Sequence, residues 1–142
     1  MIRVEIVDYR THKQTLHYIR QKVFVKEQNI DPGLEVDALD PLSIHALACW
    51  EGLKVGTGRL TPQGRIGRVA VYAALRRRGI GRQIMLCLIR QAQVQGRDAV
   101  MVSAQCQAVA FYHKLGFEEQ GDRYWEVGIE HIKMVKRLDK MS

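Results

Sequence analysis

Arg65 to Gln95 reads RIGRVAVYAALRRRGIGRQIMLCLIRQAQVQ, and this stretch decides the fold. Ile66 to Tyr72 is a β-prone run. It leads through a short basic loop, AALRRRGIG, into a segment where Ile80, Ile84, Leu88 and Ala92 recur every fourth residue, flanked by Met85 and Ile89, with Gly96 as the stop. The spacing predicts strand, anion-sized loop and helix. Gly79 and Gly81 lack the Cβ atoms that would block close backbone approach, and a helix starting there turns unpaired N–H groups and its positive dipole end outward. Such a terminus suits phosphate. Arg76, Arg77, Arg78 and Arg82 surround it with guanidinium forks that match phosphate oxygens. Two other phosphate-binding loops are excluded: Ile84 stands where a dinucleotide fingerprint needs its third glycine, and no Gly-Lys-Ser/Thr follows.

Length and composition set outer bounds. One hundred and forty-two residues, 46% of them hydrophobic, suffice for a core without staples. No stretch approaches the roughly 20 apolar residues that span a bilayer, and the N-terminus lacks a signal-peptide pattern, so a cytoplasmic protein without a membrane partner is expected. The three cysteines, Cys49, Cys87 and Cys106, fit neither a disulfide framework nor a zinc site, and no metal is expected. The formal charge of +7 suits an anionic partner or a solvated basic surface. Its clustering at Arg76 to Arg82 favours a local anion site over a nucleic-acid surface, so nucleic acid is not an expected partner.

The spacing Arg76-x-x-Gly79-x-Gly81 after a strand resembles the R/Q-x-x-G-x-G/A signature of the GNAT superfamily of acyl-CoA-dependent N-acyltransferases, which cradles the coenzyme A pyrophosphate. Downstream, Ser103-Ala104-Gln105-x-x-Ala108-x-x-Phe111-Tyr112-x-x-x-Gly116-Phe117 is similar to that family's second CoA-binding segment. Within the superfamily, Ile19-Arg20-x-x-Val23-Phe24-Val25-x-Glu27-Gln28 resembles the opening helix of the ElaA-like branch, which includes the YjcF-type proteins. Gly128-Ile129-x-His131-Ile132-x-Met134 resembles that branch's ending.

The resemblance spans nearly the whole chain and implies one domain, residues 1–142, of α/β (α+β) class. Its sheet would be mixed but mostly antiparallel, with six to seven strands flanked by about four helices, and would splay open between the central strand and the parallel strand that follows. A strand whose neighbour has moved away leaves main-chain groups to pair elsewhere. The resemblance assigns them to pantetheine, with Val69, Ala70 and Val71 along its arm and a backbone N–H near Val71 polarising the acetyl carbonyl. It gives the diphosphate to the loop Arg76, Arg77, Arg78, Gly79, Ile80, Gly81 and Arg82, with Gln105, Phe111 and Tyr112 from the second segment.

The implied reaction is attack of a primary amine, on a small molecule or peptide, on the thioester of acetyl-CoA. An alkyl amine has a pKa of about 10 and a thiol about 8.5, so the chemistry calls for a proton acceptor and a donor. The resemblance makes Tyr112 the donor; beside Phe111 it also reads as a core aromatic. Many members carry a glutamate on the central strand, but the positions around Gly67 and Arg68 offer no carboxylate. Glu27, Glu126 and His131 remain as acceptors acting through water, or the amine arrives already neutral and loses its proton to solvent. The missing carboxylate also fits a CoA-binding sensor without catalysis, and a monomer or a homodimer is compatible with everything above.

The rest of the chain falls into line. Ile2 to Val7 alternates as a half-buried strand, Thr11 and Gln14 form a capping-box pattern, and Leu16, Ile19, Val23 and Phe24 share one helical face. Glu27 to Asp40 reads as a loop whose acids Asp31, Glu35, Asp37 and Asp40 either attract a cationic amine or are simply solvated. Ile44 to Trp50 and Lys54 to Leu60 read as strands around a glycine turn, forming an antiparallel meander with the central strand. Asp98 to Ser103 reads as a strand parallel to it, Ala108 to Leu115 as a short helix. Phe117 to Gln120 and Glu130 to Leu138 read as the last strands, with Gly121 to Gly128 between them.

Overall fold

A computed structural model describes residues 1–30 and 37–140. Seven strands occur among them: β1 (Ile2–Val7), β2 (Ile44–Trp50), β3 (Leu53–Leu60), β4 (Ile66–Val71), β5 (Ala99–Gln105), β6 (Glu118–Glu126) and β7 (Ile129–Arg137). They form two antiparallel sheets, ordered β1-β2-β3-β4 and β5-β7-β6. The two meet at one parallel bridge, Arg65 to Met101, where the Met101 N–H donates to the Gly64 carbonyl at 3.0 Å. Beyond that bridge β4 and β5 part. The expected splay lies there, and β5 runs parallel to β4 as the crossover helix between them requires.

Three α-helices flank the sheets: α1 (Tyr9–Arg20), α2 (Ile80–Val94) and α3 (Val109–Lys114). Gln21–Glu27 is no separate helix but a wider π-helical continuation of α1, in which the Gln28 N–H reaches back five residues to the Val23 carbonyl at 3.2 Å, and three short 3-10 turns, Asp40–Leu42, Ala73–Leu75 and Cys106–Ala108, complete the helical segments among the described residues. The cap of α1 is not Thr11. Asp8 precedes the first turn and its Oδ2 accepts from the Thr11 N–H at 3.0 Å and the Thr11 hydroxyl at 2.7 Å, which starts the helix one turn earlier than the Thr11–Gln14 pattern predicts.

On α2 the buried residues are Ile80, Ile84, Met85, Leu88, Ile89 and Ala92, as the fourfold recurrence predicts. They lie on the sheet at close range because β3 carries glycine beneath them. A Cβ on Gly58 would stand 2.8 Å from Ile84 Cγ2 and 3.1 Å from Leu88 Cδ1, so a side chain there would lift the helix off the sheet. On the opposite face, Leu16, Ile19 and Val23 of the first helix pack with Leu47 and Ala70.

The structure departs from two expectations of the sequence. The segment Gly121 to Gly128 is mostly strand: β6 runs to Glu126, and its register against β7 shifts between Gln120 and Tyr124, so Gly121 (φ 82°) marks a bulge rather than a loop. The reversal is the tight pair Val127 (φ 48°) and Gly128 (φ 76°). The acids before β2 are not a solvated loop either. Asp40 is fully buried; it takes a two-pronged ion pair from Arg20 (2.9 and 3.1 Å) and a contact from Arg59 at 2.8 Å. Arg59 also clasps Asp37 at 2.7 and 2.8 Å, and Arg68 adds a bond to Asp37 at 3.2 Å. Asp37 and Asp40 are held by arginines rather than free to greet an amine, while Asp31 and Glu35 lie outside the described residues.

Candidate active site at the splayed strands

The central strand carries a bulge. Arg59 pairs with Gly67 and Thr57 with Ala70, so Arg68 and Val69 together oppose Gly58, and Arg68 adopts a left-handed conformation (φ 50°). Past the bulge the two-residue period sets what each side chain meets. Val69 and Val71 line a cavity, whereas Ala70 faces the other way into the core under α1. On the side away from β3, no strand among the described residues pairs with Val69 to Val71.

The loop after β4 turns through Ala73–Leu75, then through Arg77 (φ 64°) and Gly79 (φ 83°), into α2. No side chain caps α2, so its first N–H groups are available to a ligand. They open on a cavity of about 570 Å³ lined by Val71, Arg77, Gly81 and Arg82 on one side and Phe111 and Lys114 on the other. Gly81 leaves room there: the nearest atoms to an added Cβ would be those of the Phe111 ring, from 3.7 Å, and Val71 Cγ2 at 4.0 Å, all at ordinary contact distance. The apolar walls, uncapped helix end and cationic rim fit an acyl-CoA. Gly79 and Ile80 also border the cavity.

The arginines of the loop divide. Arg77 and Arg82 line the cavity. Arg76 borders it too, but its Nε donates to the Val71 carbonyl at 3.1 Å and its guanidinium pairs with both oxygens of Glu27. Arg78 stacks over the Trp50 ring, 4.9 Å from its centre, and lines neither cavity.

A second cavity, about 730 Å³, opens on the other side of the seam. Phe24 and Ile30 supply apolar wall, Asp37, Arg59, Arg65 and Arg68 a charged flank, and Ser103, Gln105, Glu126 and His131 the far side. The two cavities share Gln28, Val69, Ala108 and Tyr112. Tyr112 therefore stands where contents of one would meet contents of the other. Its ring packs edge-on against Phe111 (5.1 Å) and Phe117 (5.7 Å), and burial pushes its phenol up to about 12.

Glu27 lines neither cavity and is taken up by Arg76. Glu126 accepts from the Ser103 hydroxyl at 2.9 Å and lies 3.6 Å from Arg65. Gln105 lines the second cavity and donates to the Gln28 side chain at 3.2 Å, spanning the gap between the first helix and β5. Neither Gln28 nor Lys114 is among the site residues expected from the sequence. For Lys114 the signal was present, since it lies three residues after Phe111 on a helical face. Gln28 figures only as the last residue of the opening-helix pattern, and helical periodicity does not place it at the seam because the π-turn that brings it there breaks that periodicity.

A family model described as an acetyltransferase (GNAT) domain matches residues 15–138. The chain is 36% identical over 124 residues to YjcF of Bacillus subtilis (strain 168), an uncharacterized N-acetyltransferase, covering 84% of this chain and 88% of that protein. Its structure is similar to that of an acyl-CoA N-acyltransferase from Pseudomonas aeruginosa (30% identity, TM-score 0.83, covering 96% of this chain and 99% of that one). It is also similar to ElaA of Escherichia coli (28% identity, TM-score 0.85, with the same coverage of 96% and 99%). An uncapped helix end beside a splayed strand, in a chain with these matches, places it in the GNAT acetyltransferase family, as an acyltransferase.

Proposed function

We propose that the protein transfers an acetyl group from acetyl-CoA to a primary amine by direct attack of the amine on the thioester. The observation that carries this reading is the junction of the two cavities at Tyr112. One cavity offers what a diphosphate and a pantetheine arm need: uncapped helix N–H groups, arginines and a strand edge that no other strand among the described residues takes up, with the Val71 carbonyl held by Arg76. The other offers a polar, charged space for an acceptor. Val69 and Val71 pair with the arm through their main chain, and the Val71 N–H region stabilises negative charge developing on the carbonyl oxygen. Arg77, Arg82 and the first turn of α2 take the phosphates. Tyr112, held neutral by its burial, gives its proton to the departing thiolate.

The domain, residues 1–142, works on this reading without metal or nucleic acid and in the cytoplasm. No helix among the described residues is long and apolar enough to cross a membrane. The test is a thermal-shift series with CoA, followed by free-thiol release from acetyl-CoA in the presence of a panel of aliphatic diamines, amino sugars and amino-acid amides. Melting temperature is expected to rise with CoA concentration, and thiol release to depend on the amine. A CoA-independent melting temperature would defeat the assignment of the loop.

A further inference from the structure

We propose that His131 is the proton acceptor for the incoming amine, held in the required tautomer by the Ile129 carbonyl; the inference rests on the acyl-transfer reading above. Three side chains were open as acceptors, and the structure separates them. Glu27 is spent on Arg76 and borders neither cavity. Glu126 borders the acceptor cavity, yet it is engaged by Ser103 and flanked by Arg65. His131 borders the same cavity with one nitrogen accounted for. Its Nδ1 lies 2.7 Å from the Ile129 carbonyl oxygen, which can only accept, so Nδ1 carries the hydrogen and Nε2 keeps its lone pair. No described group bonds Nε2.

The surrounding strands hold the ring in place. His131 of β7 pairs across the sheet with Gln105 of β5 and with Tyr124 of β6, so the three share a face. The Tyr124 ring lies over the imidazole, 6.0 Å centre to centre and 21° from parallel, and its hydroxyl reaches across to Ser103, which in turn bonds Glu126. An imidazole fixed in this way can take a proton without reorienting, and the π-face of Tyr124 favours the imidazolium that results.

The protons balance. The ammonium form of the acceptor gives one proton to Nε2, which later passes it to solvent. The neutral amine then forms the C–N bond as the C–S bond breaks. The thiolate takes the Tyr112 proton, and the second proton of the nitrogen restores Tyr112. Other titratable or charged groups on the acceptor cavity are Asp37, Arg59, Arg65, Arg68, Glu126 and Tyr112, with Tyr124 on the imidazole itself. None of them offers an unbonded basic nitrogen.

The test is His131→Asn, assayed with acetyl-CoA and the fastest amine of the panel from pH 6.5 to 10. At neutral pH, kcat is expected to fall by about 100-fold, in the range of general-base contributions, with the CoA-induced thermal shift retained. The deficit should shrink toward unity as pH approaches the amine's own pKa of about 10, where the acceptor arrives neutral unaided. A loss of constant size at every pH, or none at all, overturns the assignment. Loss of the CoA shift in wild-type protein would instead count against the acyl-transfer reading. Should the variant not fold, or no amine of the panel turn over, nitrogen NMR of the wild-type imidazole decides: protonation at Nδ1 supports the proposal and protonation at Nε2 overturns it.

Discussion

Arg76 joins the two halves of the site: its guanidinium grips the carboxylate of Glu27 at the end of the first helix, and its Nε donates to the Val71 carbonyl on the central strand. The first residue of the glycine-arginine loop thus acts as a brace. Both partners of the ion pair are more than a third exposed, so the pair itself is worth no more than about 1 kcal/mol. Glu27→Gln should lower stability by less than that and leave thiol release within about threefold of wild type. A 100-fold loss of turnover with CoA affinity intact would return Glu27 to the chemistry.

Gly81 is the position where a side chain would intrude on ligand without disturbing the fold. Its added Cβ meets Phe111 and Val71 at ordinary contact distance, and its φ is not left-handed. Gly81→Val should therefore fold, fill the space between the helix end and Phe111, and abolish the CoA-induced rise in melting temperature. Gly79→Val is the contrast. At φ 83° it is strained for any side chain, so it should lose stability, by about 1 kcal/mol or more, as well as affinity. Wild-type CoA affinity in Gly81→Val would mean that the phosphates sit elsewhere.

Much of this was legible in the chain because local signals and tertiary demands coincide there. The strand, loop and helix from Ile66 to Val94 announce themselves through β-prone residues, paired glycines and a fourfold apolar repeat, and the structure uses all three. Where a residue serves two grammars, the sequence misleads. Gly121 punctuates like a turn but sits in a strand bulge, and Thr11 looks like a cap but lies three residues inside one made by Asp8. Contacts across long separations left no local trace. In the sequence Arg20 figures only as part of the opening-helix pattern, yet it is 1% exposed and bonded to Asp40, twenty residues on. Arg78 likewise belongs by spacing to the anion loop and by structure to Trp50.

Tyr112→Phe tests the donor role proposed for the phenol. The phenol makes no hydrogen bond among the described residues, so its removal leaves no partner unsatisfied, and the ring contacts to Phe111 and Phe117 survive. Turnover should fall by 10-fold or more with KM for acetyl-CoA and the thermal shift nearly unchanged. Because burial moves the phenol up to about 12, the hydroxyl stays protonated through the alkaline range, and wild-type turnover should show no downturn from Tyr112 below about pH 11. Equal turnover in the two proteins would hand the thiolate's protonation to solvent.

The buried ladder of Arg20, Asp40, Arg59 and Asp37 ties stability to acid. For Asp40, burial alone would raise the carboxyl, but the Arg20 bonds and the charges of Arg20 and Arg59 outweigh it and the net direction is down; for Asp37 the Arg59 bonds dominate and the direction is also down. A carboxyl whose folded value lies below its unfolded value of about 3.9 contributes stability above that pH, and the contribution is lost as pH falls through and below it. Removing Asp40 leaves two guanidinium groups buried with a partner missing, a change that typically costs about 3–5 kcal/mol. Asp40→Ala should accordingly show that loss in urea unfolding at pH 7. The gap between wild type and variant should then narrow as pH is lowered from about 5 to 3, since the unfolded wild-type chain takes up at Asp40 a proton that the folded chain, with its lowered carboxyl, does not, and the variant has no such linkage. A gap independent of pH would mean that the ladder is held by shape and hydrogen bonding rather than by charge.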